Sequence, residues 1–271
     1  MTKLTRQMIY DTAKELSNAG RWGADDQIGT LNNISPEDVV AAAGLVKKGK
    51  VFALGLSLKE KIQSGLFGGR WNMIHQMLAT GTDAVTGEQD GDGKAYLRYA
   101  DDAINLPCQG STQWDALCHI FLDDKMYNDF PATDVTVNGA KTLGIENVRD
   151  KMVGRGVLLD VARHKGVASL DDGYPITNED LDACAAAQGV EIRKGDFVIV
   201  RTGHQERCLA SGDWTGYAGG DAPGMAFETA HWAASLHFMF SSQGDEEFSI
   251  PEMLTLLRQV SQSQILTGGE I

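Results

Sequence analysis

The sequence predicts an α/β domain in which a helix connects two buried strands. Residues 156–162, Gly-Val-Leu-Leu-Asp-Val-Ala, form a short apolar run that is typical of a strand buried on both faces. Residues 195–203, Gly-Asp-Phe-Val-Ile-Val-Arg-Thr-Gly, form a second run of this kind and end in a turn. Between them, residues 177–189 carry the signals of a capped helix. A strand, a helix and a strand in this order indicate a crossover unit and a layered α/β domain.

Capping residues and apolar spacing predict the helices. Ser35 followed by Pro36 and two acidic residues is a strong helix start, and Gly49 is the expected end. Thr177 with Asp180, and Ser249 with Glu252, have the spacing of capping boxes. The predicted helices are residues 4–19, 35–49, 147–152, 177–189, 226–236 and 249–260.

Two further predictions concern residues 51–94. Residues 51–58 alternate large apolar side chains with smaller ones, which is the two-residue period of a strand with one buried face. Residues 63–94 are rich in glycine and polar residues and predict a long excursion with one edge strand. Excursions of this length tend to be lids or partner contacts, and we expect subunit contacts here.

Composition bounds the classes of function. The 271 residues are 42% hydrophobic, enough to fill a core, and carry a formal charge of −13 with scattered basic residues, which argues against nucleic-acid binding. The four cysteines, at 108, 118, 184 and 208, lack Cys-x-x-Cys spacing and predict free thiols. No cleavable apolar leader and no run of membrane-spanning length is present, so we expect a cytoplasmic protein.

The central stretch, residues 106–128, concentrates groups that can do chemistry. It contains Gln109, Gln113, Asp115 and His119, and in an extended chain Gln113 and Asp115 share a face. The alternative interpretation is a polar loop that leads into a helix with an apolar face. A single imidazole beside apolar residues is more often a packed, hydrogen-bonded group than a ligand, so the residues by themselves favour the polar-loop interpretation over an active site.

The central stretch resembles the signature of a known family. Gln109-Gly-Ser-Thr-Gln-Trp-Asp-Ala-Leu-Cys-His is similar to His-x-Gly-Thr-His-x-Asp-x-Pro-x-His of the cyclase family, which includes bacterial kynurenine formamidase and isatin hydrolase. Residues 21–32, 155–162, 195–203 and 221–225 also resemble segments of this family, in the same order. Because several separate matches are collinear, the resemblance favours the active-site interpretation.

The resemblance implies a swivelling β/α/β fold and metal-dependent hydrolysis of a small amide, lactam or lactone. Position by position, it implies that Asp115 binds a divalent metal and that His119 transfers the proton. Gln109 and Gln113 stand where the family has its two histidine ligands. Amide oxygens are hard, weak donors, which would favour Mn²⁺, Mg²⁺ or Ca²⁺ over Zn²⁺.

Further expectations concern substrate binding, domain organisation and assembly. Trp22, Trp114 and His75 are candidate substrate-binding residues, although each has an alternative as a packed side chain. We expect one domain over residues 1–271, in which residues 236–271 form a divergent or truncated tail that does not match the family pattern. We also expect a small-molecule substrate and a homo-oligomer.

Two other functions stay open at this point. The two glutamine replacements and the unmatched tail are also consistent with a catalytically silent member that binds a small molecule or a partner subunit. A metal-independent lyase or cyclase that uses His119 alone is the third alternative.

Overall fold

A parallel sheet of three strands forms the centre of the α/β fold. The computed structural model describes residues 4–53, 55–59, 70–91, 97–108, 112–215, 217, 222–236 and 239–241. The strands are β5 (Gly156–Asp160), β7 (Phe197–Arg201) and β9 (Met239–Ser241), in the order β5-β7-β9, with Leu159 opposite Val200. The two predicted strands and their crossover are therefore confirmed, whereas the fully buried residues of both strands lie on one face of the sheet rather than on both.

The main core packs against this sheet. Leu159 is fully buried and Val198 is 1% exposed on the face that carries this core, whereas Leu158 and Ile199 on the other face are half-buried. The crossover contains α4 (Val161–His164) and α5 (Asn178–Gln188), and the capping box of Thr177 and Asp180 that begins α5 is present. The buried residues of this core are Val157, Leu159, Val161, Ala162, Leu170, Ile176, Leu181, Cys184, Val198, Met225, Trp232 and Ala233.

One carboxylate joins the two crossover helices. Asp180, which caps α5, forms an ion pair with Lys165 at the end of α4 and accepts a hydrogen bond from the Tyr174 hydroxyl at 3.1 Å. Burial alone would raise the pKa of Asp180, but the ion pair and the hydrogen bonds hold it below its ordinary value. The carboxylate is therefore charged at neutral pH and ties α4 to α5.

Short elements surround the core. A hairpin pairs β1 (Ile74–Ala79) with β2 (Asp101–Asn105), and two-residue strands form the pairs β3 (Val135–Thr136) with β4 (Gly139–Ala140) and β6 (Pro175–Ile176) with β8 (Gly224–Met225). The remaining helices are α1 (Arg6–Glu15), α2 (Pro36–Ala43), α3 (Gly81–Thr86), α6 (His204–Ser211) and α7 (Thr229–Leu236). Within the part of the chain that the structure describes, no helix has the length and apolar content needed to cross a membrane.

Some predicted elements differ from the structure. The predicted strand at residues 51–58 is wrong, because the described residues of this segment form no strand and only Leu56 among them is buried. Leu56 packs instead against Cys208, Trp214 and Tyr217. Helix α2 ends at Gly44 rather than Gly49, and the predicted helix at 147–152 is a 3-10 turn at Ile145–Val148.

The two ends of the chain are described only in part. Strand β9 lies inside the predicted tail, which therefore begins by adding a strand to the sheet. The predicted helix at 249–260 lies outside the described residues, and the single-domain organisation of residues 1–271 stays a prediction.

Two glycines at the ends of α6 provide a test of the fold. Gly203 and Gly212 both have positive φ, of 79° and 69°. A Cβ on Gly203 would collide with the carbonyl oxygen of Ala168 and lie 2.7 Å from Cα of Ser169, whereas a Cβ on Gly212 meets nothing within 4 Å. We expect Gly212→Ala to cost about 1–2 kcal/mol of unfolding free energy from backbone strain alone. Gly203→Ala should cost roughly 1–3 kcal/mol more from overpacking, as measured by urea unfolding. Equal losses in the two variants would contradict the close approach at Gly203.

Candidate functional site

The central stretch is held by a small apolar cluster just before His119. Leu117–His119 form a single 3-10 turn, so the alternative of a longer helix here is wrong. Ala116, Leu117 and Cys118 are each 5% exposed and pack with Met126, Tyr127 and Leu143. The apolar residues fix the turn in the protein, and His119 at its end remains exposed.

Asp115 and His119 lie next to each other. The distance from Oδ1 of Asp115 to Nδ1 of His119 is 3.6 Å, and the two residues are four apart in sequence. The Asp115 side chain is 13% exposed, whereas that of His119 is 40% exposed. A largely buried carboxylate beside Nδ1 favours the tautomer with the proton on Nδ1, which leaves Nε2 able to accept a proton.

The other predicted residues of the central stretch are placed in part. Trp114 is half-buried, and its ring meets the ring of Phe197 edge to face, with 5.9 Å between centroids and an angle of 74°. Gln113 is half-buried. Gln109 lies outside the described residues.

Trp22 and His75 lie on other segments. Trp22 is half-buried, and the guanidinium of Arg21 is 5.2 Å from its ring centroid. His75 is on β1, where its Nε2 is 2.7 Å from Oδ2 of Asp102 on β2. This pair belongs to the exposed hairpin, and none of the contacts that His75 makes within the described part of the chain joins it to Asp115.

The first loop, residues 20–33, is tied to the central stretch through Leu143. The side-chain oxygen of Gln27 accepts a hydrogen bond from the backbone N–H of Leu143 at 2.7 Å. The carbonyl of Leu143 in turn accepts from the N–H of Cys118 at 3.3 Å. Leu143 is 1% exposed and has a φ of 60°, which is unfavourable for a leucine, so its surroundings must hold it there.

A second connection runs through Asp26 and Asn128. The Asn128 side-chain amide donates to the carbonyls of Gly23, Ala24 and Asp26 at 2.9–3.2 Å. The Asp26 carboxylate accepts from the Tyr127 hydroxyl at 2.7 Å. Burial and the neighbouring carboxylate raise the pKa of Tyr127, so the hydroxyl keeps the proton that it donates. The first loop is thus fastened directly beside the central stretch.

The ligand atoms at the site indicate which kind of divalent metal they fit. Among the described residues, no group of three or more His, Cys, Asp or Glu side chains is placed to hold a metal ion. Asp115 and Gln113 offer a carboxylate oxygen and an amide oxygen, and both are of the hard type that Mg²⁺ and Mn²⁺ prefer. By donor type these residues fit a hard cation and do not fit a zinc site built on histidines.

The fold and this site define an α/β protein of the cyclase type. The family model described as "Putative cyclase" matches residues 27–241, and the chain belongs to this family. No curated protein matches the chain.

Three solved structures show the same likeness. A crystal structure of a novel cyclase is 34% identical, has a TM-score of 0.81, and aligns over 94% of this chain and 85% of its own. Isatin hydrolase A from Ralstonia solanacearum is 19% identical, with a TM-score of 0.55 over 88% of this chain and 85% of that one. Isatin hydrolase A from Labrenzia aggregata, bound to benzyl benzoate, is 17% identical, with a TM-score of 0.50 over 76% of this chain and 73% of that one. At these identities the two isatin hydrolases show a shared fold alone.

Several residues that position the site were not predicted. The side-chain hydrogen bonds of Gln27 and Asn128 join segments more than a hundred residues apart, and no local pattern indicates which distant backbone group a side chain will bind. For Asn128 a weak signal existed, because asparagine is enriched at positive φ, and its φ is 58°.

Asn128 offers a test of how firmly the first loop is held. We expect Asn128→Ala to lower the unfolding free energy by about 1–3 kcal/mol and to speed hydrogen exchange in residues 20–27, because the bonds to the loop carbonyls are lost. Asn128→Gly keeps the positive φ without strain and isolates the loss of the side-chain bonds. Asn138→Ala, in the exposed turn between β3 and β4, is the matched control. Unchanged exchange in the Asn128 variants would contradict the proposed fastening.

Proposed function

We propose that the protein is a metal-dependent hydrolase of a small amide, lactam or lactone, with His119 as the proton-transfer residue. The observation that carries this proposal is the contact between Asp115 and His119, in which a largely buried carboxylate lies beside an exposed imidazole. Membership of the cyclase family supports it, as does the fold shared with two isatin hydrolases. The hydrolysis of isatin itself is an activity of those relatives and serves here as a first assay.

Asp115 and His119 have different proposed roles in proton transfer. The Asp115 carboxylate orients the imidazole and stabilises the imidazolium that forms when His119 takes a proton. His119 Nε2 removes a proton from the attacking water and returns it to the leaving nitrogen or oxygen. The exposed position of His119 gives it access to both water and substrate.

Asp115, Gln113 and Gln109 would hold the divalent metal. When bound, a hard cation such as Mn²⁺ or Mg²⁺, or Zn²⁺ at lower preference, supplies Lewis acidity toward the carbonyl and lowers the pKa of a bound water. The proposed substrate-binding roles of Trp22, Trp114 and His75 stay predictions.

Location and assembly complete the proposal. All four cysteines are free thiols, which supports a reducing compartment and the predicted cytoplasmic location.

The β1–β2 hairpin supports a homo-oligomer, because nearly all of its residues are exposed. A lone two-stranded hairpin is marginally stable in water, and this one carries exposed Ile74, Met77, Leu78 and Ile104, so we propose that a second copy of the chain covers it.

The catalytic roles are tested by substitution at the pair. We expect His119→Ala to lower kcat for a reactive cyclic amide such as isatin by about 10²–10⁴-fold, because general acid–base catalysis is lost. Asp115→Asn should also lower kcat, since the amide neither orients the imidazole nor balances its charge. His164→Ala, at the exposed end of α4, is the matched control and should keep full activity. Wild-type turnover in both site variants would remove the proposed roles.

Metal-dependent melting and activity in excess chelator distinguish the alternative functions. Added Mn²⁺ or Mg²⁺ should raise the melting temperature of the wild type and not of Asp115→Asn, because only binding to the folded state stabilises it. Activity that persists in excess chelator would favour the metal-independent lyase or cyclase. Absence of both turnover and metal-dependent stabilisation would favour the catalytically silent member.

Substitutions in the β1–β2 hairpin test the proposed homo-oligomer. Ile74 and Leu78 lie on one face of β1, and Met77 lies on the other face with Ile104 of β2. Two double variants distinguish the faces: Ile74→Lys with Leu78→Lys, and Met77→Lys with Ile104→Lys. We expect the double variant on the covered face to convert the oligomer to a monomer, as measured by light scattering. Val40→Lys, at an exposed residue of α2, should leave the oligomer intact. A monomeric wild type would contradict the proposal.

A further inference from the structure

The ring of Phe197 occupies the space that a side chain at position 154 would need. A Cβ built on Gly154 would lie 2.8 Å from Cε2 and 3.3 Å from Cδ2 of Phe197. Carbon atoms that are not bonded to each other pack at about 3.5–4.0 Å, so a methyl group there would overlap the ring. Gly154 does not have a positive φ, so its backbone does not require glycine. The close approach of the Phe197 ring does require it.

The backbone of Phe197 is fixed, so its ring is the part that yields to an added group. The N–H of Phe197 donates to the carbonyl of Arg155, the residue after Gly154, at 2.8 Å. This bond ties the start of β7 to the segment that contains Gly154. The ring also packs with the buried residues Leu31, Ile34 and Val148.

The same ring supports the residue before Asp115. Phe197 meets Trp114 edge to face, with 5.9 Å between the ring centroids, which is a favourable arrangement for an aromatic pair. Trp114 directly precedes Asp115, and consecutive Cα atoms are held about 3.8 Å apart, so a displaced Trp114 also moves the backbone of Asp115. The 3.6 Å between Oδ1 of Asp115 and Nδ1 of His119 changes with that movement.

We propose that Phe197 is a positioning residue for the proposed catalytic pair of Asp115 and His119, and that Gly154 leaves the room its ring needs. This inference rests on the proposed function, because it assigns a role to residues that support the same site. Phe197 acts through Trp114 and makes no proposed contact with the substrate.

A residue that serves only the core leads to a different expectation. Its replacement lowers stability and leaves the catalytic pair in place. Replacement of a positioning residue changes the geometry of the pair in a protein that stays folded, and small misplacements of catalytic groups are costly to the rate.

Gly154→Ala tests the proposal, with Gly156→Ala as the matched control. Neither glycine has a positive φ, and a Cβ on Gly156 meets nothing within 4 Å. We expect Gly154→Ala to shift the fluorine resonance of Trp114 in protein labelled with fluorotryptophan, and to shift the ring resonances of His119 at a fixed pH. Gly156→Ala should leave both in place. Trp114→Phe and His119→Ala assign the signals.

Kinetics with isatin separate the pair from the substrate contacts. We expect Gly154→Ala to lower kcat about tenfold and to leave KM within about threefold, because the catalytic geometry changes. Wild-type kcat with a raised KM would assign the effect to substrate binding by Trp114 and overturn the positioning role.

Phe197→Leu provides a second, independent variant. It removes the ring that meets Trp114 and makes room for a methyl group at position 154. Because both substitutions act on one contact, Gly154→Ala combined with Phe197→Leu should lose no more kcat than Phe197→Leu alone. Losses that multiply would show that the two residues act separately, which contradicts the proposal.

The resonances separate this proposal from the hydrolase function. Shifted His119 signals in Gly154→Ala and Phe197→Leu support the positioning role, even where isatin is not turned over. A lowered melting temperature with unmoved His119 signals assigns Phe197 to the core alone and overturns the role, while Asp115 and His119 keep their own test. Where Gly154→Ala does not fold, Phe197→Leu decides between these outcomes, because removing ring atoms introduces no overlap.

Discussion

The parallel pairing of β5 with β7 is the constraint on which the rest of the structure depends. Val157 and Leu159 of β5 pair with Val198 and Val200 of β7 on the face that carries the main core, and burial of this face fixes the register. At the start of β7, Phe197 packs against Trp114 and against residues of the first loop. At its end, Gly203 turns the chain into α6. One strand therefore positions the proposed catalytic segment and the start of α6.

The first loop is the second constraint, because the central stretch has little regular structure of its own. Its turn at Leu117–His119 is only three residues long, and such a turn does not define a side-chain position without tertiary support. Gln27 and Asn128 supply this support through hydrogen bonds to backbone groups distant in sequence. The unfavourable φ of Leu143 shows how strongly the surroundings decide the local geometry.

The sequence predicted the elements whose signals are local and strong. The apolar runs of β5 and β7, the capping serine and proline that begin α2, and the capping box of α5 are of this kind. The strand predicted at 51–58 is wrong because an alternating pattern shows which residues are apolar and does not show which residues they contact. Leu56 found its partners in Cys208, Trp214 and Tyr217, about 150 residues away, and not in a neighbouring strand.

The glutamines of the central stretch are where this chain departs most from the signature that it resembles, and physical chemistry limits what the departure can mean. Replacing an imidazole with an amide exchanges a strong neutral nitrogen donor for a weaker neutral oxygen donor, so any metal would be held less tightly, and Asp115 stays the charged member of the proposed ligand set. The same carboxylate lies beside His119. The proposed metal ligand and the proposed proton-transfer residue are thus neighbours, and their unequal exposure, 13% for Asp115 and 40% for His119, leaves the imidazole open to solvent.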